Sequence, residues 1–225
     1  MNPPKLSPRL LAAAEFVRGG AVVADIGTDH AYLPIYLCKT GKIRSAVASD
    51  INEGPVERAK INIAAYSLTK RISVCLTDGL RGIEAYSPSD IIICGMGGEL
   101  IAEIISKAEW TKNKSIRLIL QPMTHADKLR AFLCEAGYLI TDEALAREEK
   151  IYQIICAEYR GEKTQYSPLE LVFGKQNIAR GGEDLKLYAE YVRSVFMTRI
   201  RGKQSAGSDT AEEETFVSTI DELLK

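Results

Sequence analysis

The fold is decided at Ala21-Val22-Val23-Ala24-Asp25-Ile26-Gly27-Thr28-Asp29-His30-Ala31. An apolar, β-branched run that ends in a carboxylate and a glycine reads as a strand buried on both faces, delivered to a tight turn. A helical pattern over 31–40 follows, and Gly41 stands where a helix C-cap is expected. This is a first βα unit. In open α/β sheets, ligands bind beyond the carboxyl ends of such strands.

The same grammar repeats outward from that unit. Apolar runs at 21–26, 43–49, 72–76, 90–94 and 117–120 alternate with helical patterns at 31–40, 55–67, 99–108 and 126–136, the last closed by Gly137. Alternation of this kind implies a doubly wound parallel sheet with right-handed crossovers. Then the pattern changes. Strand-like runs at 138–146 and 151–159 are separated only by Arg147-Glu148-Glu149-Lys150, which permits an antiparallel hairpin and forbids another crossover. A seven-stranded α/β domain over 1–160 is expected.

Residues 161–225 form a second, helical domain in this reading. Leu185, Tyr188, Tyr191, Val192, Val195 and Phe196 recur at helical spacing within 183–203, a helix of roughly 30 Å. After a linker at 204–211, Phe216, Val217, Ile220, Leu223 and Leu224 give a second apolar stripe, with Asp209 or Thr210 as N-cap. The two helices are expected to pack as an antiparallel, coiled-coil-like hairpin. The Tyr188/Tyr191 pair reads as core packing rather than a base-stacking platform.

Composition bounds the function. The 225 residues carry a net charge of −1, which argues against coating nucleic acid by bulk charge. The total hides a partition. Residues 175–203 hold seven basic and three acidic side chains, whereas 204–225 hold six acids and one lysine. No run of 18 apolar residues suits a membrane span, and residues 1–9 have no apolar signal core, so a cytoplasmic protein with no membrane partner is expected. Five scattered cysteines with no Cys-x-x-Cys pair read as free thiols, and with only two histidines no metal site is expected. The chain is read as a monomer.

The strand ends carry the chemistry. They read Asp25-Ile26-Gly27-Thr28-Asp29-His30, then Ser49-Asp50-Ile51-Asn52, Thr77-Asp78-Gly79, Cys94-Gly95-Met96-Gly97-Gly98 and Gln121-Pro122-Met123. The first loop has one glycine of a nicotinamide fingerprint, Gly27, with Asp29 and Ala31 where the other two would stand. A carboxylate there repels a pyrophosphate and tolerates a cationic cofactor without phosphate, such as S-adenosylmethionine. Asp50 follows Asp25 by 25 residues, near the spacing of a ribose-hydroxyl acceptor. Asp78 can accept from the adenine amino group while Gly79 lets the base lie close.

These segments, with Leu6-Ser7-Pro8-Arg9-Leu10, Asp29-His30-Ala31-Tyr32-Leu33-Pro34, Asn52-Glu53-Gly54-Pro55, Asp78-Gly79-Leu80, Leu120-Gln121-Pro122 and Lys150-Ile151-Tyr152, resemble the bacterial TrmK family over about 6–159. TrmK proteins are tRNA (adenine-N1)-methyltransferases that use S-adenosylmethionine on the adenine at tRNA position 22. The resemblance implies a class I, Rossmann-like methyltransferase fold with S-adenosylmethionine as cofactor and tRNA as partner. The family usually reads Gln-Pro-Asn where Met123 stands, and a Met cannot donate a hydrogen bond to a base.

On this reading Arg9, Asp25, Ile26, Gly27, Asp50, Ile51, Asp78, Gly79 and Gly95 bind the cofactor. Asp29 is the candidate catalytic carboxylate, against the alternative that it caps the helix beginning at Ala31. His30, Tyr32, Gly97, Gly98, Gln121 and Pro122 face the base, and Arg193, Arg199 and Arg201 hold the tRNA backbone. Three alternatives stay open: a methyltransferase for another RNA base or a small molecule, a nicotinamide-dependent dehydrogenase, and a non-catalytic RNA-binding protein.

Overall fold

The computed structural model describes residues 2–225. Its strands are β1 (Ala21–Ile26), β2 (Ile43–Asp50), β3 (Ile72–Leu76), β4 (Asp90–Gly97), β5 (Arg117–Thr124), β6 (Tyr138–Arg147) and β7 (Ile151–Tyr159). The interleaved helices are α1 (Pro8–Phe16), α2 (Tyr32–Lys39), α3 (Glu53–Ala65), α4 (Gly98–Ser106) and α5 (Ala126–Glu135). All seven strands form one sheet in the order β3-β2-β1-β4-β5-β7-β6. The first five are parallel, and β7 inserts antiparallel between β5 and β6. The expected sheet and terminal hairpin are both present.

Alternation along each strand sends successive side chains to opposite faces. Val23, Ala46, Ile92 and Ile119 join one apolar cluster with α1, α2 and α3, while Ala24, Val47, Ile91 and Ile93 join a second with α4 and α5. Every one of Ile91, Ile92 and Ile93 is fully buried, as a strand covered on both faces requires. Strand order reverses direction between β1 and β4, and that crevice is where an open α/β sheet binds its ligand.

The C-terminal segment is richer than its two apolar stripes imply. It contains α6 (Pro168–Phe173), α7 (Lys175–Arg180), α8 (Glu183–Ser205) and α9 (Ala211–Leu223). Helices α8 and α9 are the expected antiparallel pair: Phe196 packs on Phe216 at 4.8 Å, Lys203 pairs with Glu213 and Arg193 with Asp221. The acidic tail therefore folds onto the basic helix. Thr210 stands at the N-cap of α9, while Asp209 accepts the Ala211 N–H at 3.0 Å. Phe173, Leu185, Ala189, Val192 and Ile220 form a third cluster, packed against Leu145 of β6. No helix among the described residues is long and apolar enough to cross a membrane.

Candidate active site

The β1–α2 loop is built under backbone constraint. Gly27 has φ +75°, a left-handed conformation that favours glycine, and a Cβ there would displace the Met96 methyl. Asp29 (φ +43°) and Ala31 (φ +57°) adopt the left-handed region without being glycine. Strain of this kind is held by surrounding structure and concentrates at functional loops. Ala31, not Asp29, occupies the N-cap of α2. The Asp29 side chain instead receives Arg58 Nη2 of α3 at 2.6 Å, with His30 Nε2 at 3.5 Å. The capping alternative for Asp29 is thereby removed.

A cavity of about 290 Å³ opens at the crevice between β1 and β4. Arg9, Asp25, Gly27, Asp29, His30, Tyr32 and Gly95 all line it, so seven of the residues singled out from the sequence meet there. Cys94, Thr28, Leu10 and Leu33 complete its wall. His30 and Tyr32 stack with ring centroids 5.2 Å apart and planes 10° from parallel, making an aromatic ledge beside Asp29. Asp78 and Gly79 line a separate cavity with Leu80, Ile104 and Trp110. Asp50 ends β2 next to β1, its carboxylate receiving the Asn52 N–H at 2.9 Å, and Ile51 beyond it is exposed.

Burial shapes the electrostatics. Asp25 is 6% exposed and accepts from the Thr28 hydroxyl. Desolvation pushes its carboxyl up to about 6, the Thr28 hydrogen bond opposing and the nearby Asp50 charge adding to the rise. The Cys94 thiol is pushed far up by burial and by the Asp25 charge.

Several expected contacts are redistributed. Ile26 buries its side chain in the core and does not line the cavity. Gly98 has a packing reason: a Cβ would sit 2.3 Å from the His125 carbonyl oxygen, so it permits α4 to meet the loop before α5. Gly97 is the N-cap of α4 with ordinary φ. Gln121 is fully buried and spent internally, its Oε1 receiving Arg9 Nη1 at 2.8 Å and the Gly95 N–H at 3.1 Å, its Nε2 donating to the Pro122 carbonyl at 3.0 Å. It braces two cavity residues rather than facing a base. Gly95 itself marks a register shift between β4 and β5, which turns its N–H toward Gln121. Arg193, Arg199 and Arg201 lie on α8 and line neither cavity. Arg58 and Trp110 were not singled out from the sequence: Arg58 lies 29 residues from the carboxylate it meets, and Trp110 carries no motif.

The loop does not suit a pyrophosphate. Gly27 and Thr28 N–H groups, which would cradle one, both donate to the Ser49 carbonyl at 2.8 and 3.0 Å. Carboxylates of Asp25 and Asp29 opposite the Arg9 guanidinium suit a ligand with cationic centres and a carboxylate.

The family described as "Methyltransferase domain" matches residues 6–155. The tRNA (adenine(22)-N(1))-methyltransferase of Bacillus subtilis is 40% identical over 175 residues, covering 77% of this chain and 74% of that protein. This chain belongs to the TrmK family. The crystal structure of the Bacillus subtilis m1A22 tRNA methyltransferase TrmK superposes with a TM-score of 0.89 at 30% identity, covering 98% of this chain and 99% of that one. A Streptococcus pneumoniae protein solved with S-adenosyl-L-methionine gives 0.87 at 32%, covering 98% and 100%. This TrmK-family chain is a class I Rossmann-like methyltransferase, and its cofactor is S-adenosylmethionine. The dehydrogenase alternative falls with the fingerprint it lacks. Among the described residues, no group of three or more His, Cys, Asp or Glu is placed to hold a metal ion.

Proposed function

We propose that the chain methylates N1 of an adenine in tRNA, at the position numbered 22. The observation that carries this reading is the β1–α2 loop, where an ionisable Asp29 stands beside the exposed His30/Tyr32 ledge at the mouth of the cofactor cavity. An aromatic ledge is the surface on which an extruded base stacks, and a carboxylate beside it meets the base's edge. The Bacillus subtilis relative's specificity supports the same target.

The residues divide the work. Arg9 stands ready for the cofactor's carboxylate, Asp25 for its ammonium, Asp50 for ribose hydroxyls, and Asp78 with Gly79 for the adenine edge. Bound there, the cofactor supplies an electrophilic methyl on sulfur. The adenine N1 lone pair needs no deprotonation, so alignment dominates, and good alignment can contribute about 7–11 kcal/mol. Methylation leaves the base cationic. Asp29 offsets that charge or takes a proton from the exocyclic amine. Arg199 and Arg201 are exposed on α8 and, among the described residues, in no ion pair, so they can meet phosphates, whereas Arg193 already pairs with Asp221 at 2.5 Å.

Labelled methyl transferred from S-adenosylmethionine to unmodified tRNA is expected at adenine N1 of position 22, mapped by nuclease digestion and mass spectrometry. Label at another atom or nucleotide overturns the assignment. A second result is expected from Asp25→Asn. The folded state keeps a proton on Asp25 up to about pH 6 that the unfolded chain releases near 3.8, so stability contributed by this group declines as pH rises through that window. Asn removes the buried charge, so thermal unfolding at pH 7 should show a gain of about 3 kcal/mol. Calorimetry should show weaker S-adenosylmethionine binding. Unchanged cofactor affinity would remove Asp25 from the site.

A further inference from the structure

A cleft of about 250 Å³ lies beyond the cofactor cavity, between the end of β5, the β6–β7 turn and α8. Its floor is Pro122 and Met123, one wall is Lys150 and Tyr152, and the other is Tyr188 and Tyr191. It adjoins the active site through Tyr152, whose ring carries Arg9 at 5.7 Å on one side and Lys150 at 5.0 Å. The far wall is rigid. The Tyr188 hydroxyl receives Gln153 Nε2 at 3.0 Å, and its ring sits edge-on to Phe173 at 5.4 Å. Tyr191 stacks on Tyr188, centroids 6.5 Å apart and planes 26° from parallel, yet is 63% exposed. Core packing explains Tyr188. It does not explain a large aromatic left open to solvent on a fixed support.

We propose that this cleft holds a nucleotide of the RNA substrate adjoining the target adenine, its base stacked on Tyr191 and its phosphate met by Lys150. The proposal rests on the tRNA reading above. Fixed aromatic faces beside a cation are the chemistry of base stacking in RNA recognition. Arg9 lines the cofactor cavity and lies over the Tyr152 ring that lines the cleft, so the nucleotide falls near the reacting one, and the Met123 thioether gives the cleft an apolar lining that suits a base face rather than its hydrogen-bonding edge.

Steady-state methyl transfer to tRNA, with cofactor binding measured separately by calorimetry, tests it. Tyr191→Ala should raise KM for tRNA about tenfold or more, leaving kcat and cofactor affinity near wild type. Tyr191→Phe keeps the ring and should stay within about twofold of wild type. Lys150→Ala should reduce the slope of log affinity against log salt by about one. An unchanged KM for Tyr191→Ala, or equal losses in Ala and Phe, overturns the stacking. If wild type transfers no methyl to tRNA, the tRNA reading and the cleft fall together. If wild type transfers and Tyr191→Ala matches it, the cleft alone falls.

Discussion

Asp29→Asn is expected to lower kcat for methyl transfer about 100-fold or more while leaving cofactor affinity and the KM for tRNA nearly unchanged. Asn is the informative replacement. Position 29 has φ +43°, and Asn tolerates the left-handed region better than Ala, so charge is removed without reshaping the loop. The side chain is 61% exposed, so no buried volume is lost. Arg9, Asp25 and Asp50, the groups proposed to meet the cofactor, are untouched. What disappears is the one carboxylate placed beside the His30/Tyr32 ledge. Arg58→Ala is the companion variant: it strips Asp29 Oδ1 of its 2.6 Å partner without removing the charge, and should cost less. Near-normal turnover by Asp29→Asn would take the carboxylate out of the mechanism and leave the alignment of base and methyl as the whole of catalysis.

The sheet was legible because its strands are covered on both faces, and such strands must be apolar runs whatever their neighbours. Their ends were less so. Strands β4 and β5 continue to Gly97 and Thr124, past Cys94 and Leu120 where the apolar runs end, because a register shift at Gly95 lets the ladder resume. Helix α6 carried a local signal, Ser167-Pro168-Leu169-Glu170. It forms a reciprocal capping box with Pro at the first turn, but over only six residues. Helix α7 had no such signal, since its start at Gly174 is set by close approach to Glu143.

Seven of the residues read from the strand ends and the first helix line one cavity, but sequence spacing did not reveal their partners. Gln121 stood out at a strand end, yet its role as a brace depends on Arg9, 112 residues away. The Asp29–Arg58 pair joins the first loop to the following crossover helix, and only the sheet topology brings them together. Arg193 read as an open cation because its partner Asp221 lies 28 residues on, across the α8–α9 turn. Tyr188 and Tyr191 share one helical stripe, and periodicity alone cannot separate the ring that Phe173 covers from the ring left largely exposed.

The largest effect on stability is expected at Arg130, far from the cavity. Its side chain is fully buried, with Nε on Glu143 Oε1 at 2.7 Å, Nη2 on Gln153 Oε1 at 2.6 Å and Nη1 on the Leu171 carbonyl at 2.8 Å. Glu143, also fully buried, takes the Gln176 N–H on its other oxygen at 3.1 Å. Through these bonds one guanidinium ties α5, the β6–β7 hairpin and the α6–α7 segment together, and Gln153 passes the tie to Tyr188 on α8. Arg130→Met keeps much of the volume but strands a buried carboxylate, which costs about 3–5 kcal/mol and should lower Tm by about 10 °C. The sign of the pH dependence identifies the cause. Burial already raises the Glu143 pKa, and Arg130 is the main force holding it down. Without Arg130 the carboxyl protonates more readily in the folded state, so stability of the variant should recover as pH falls from 8 to 5. Adding Glu143→Gln should restore part of the loss at pH 8, the non-additivity measuring the pair. A variant whose deficit is the same at pH 5 and pH 8 would place the cost in packing and backbone hydrogen bonds instead. Because the same network seats Tyr188, Arg130→Met should also raise the KM for tRNA before it affects cofactor binding, which is proposed at strand ends on the other side of β5.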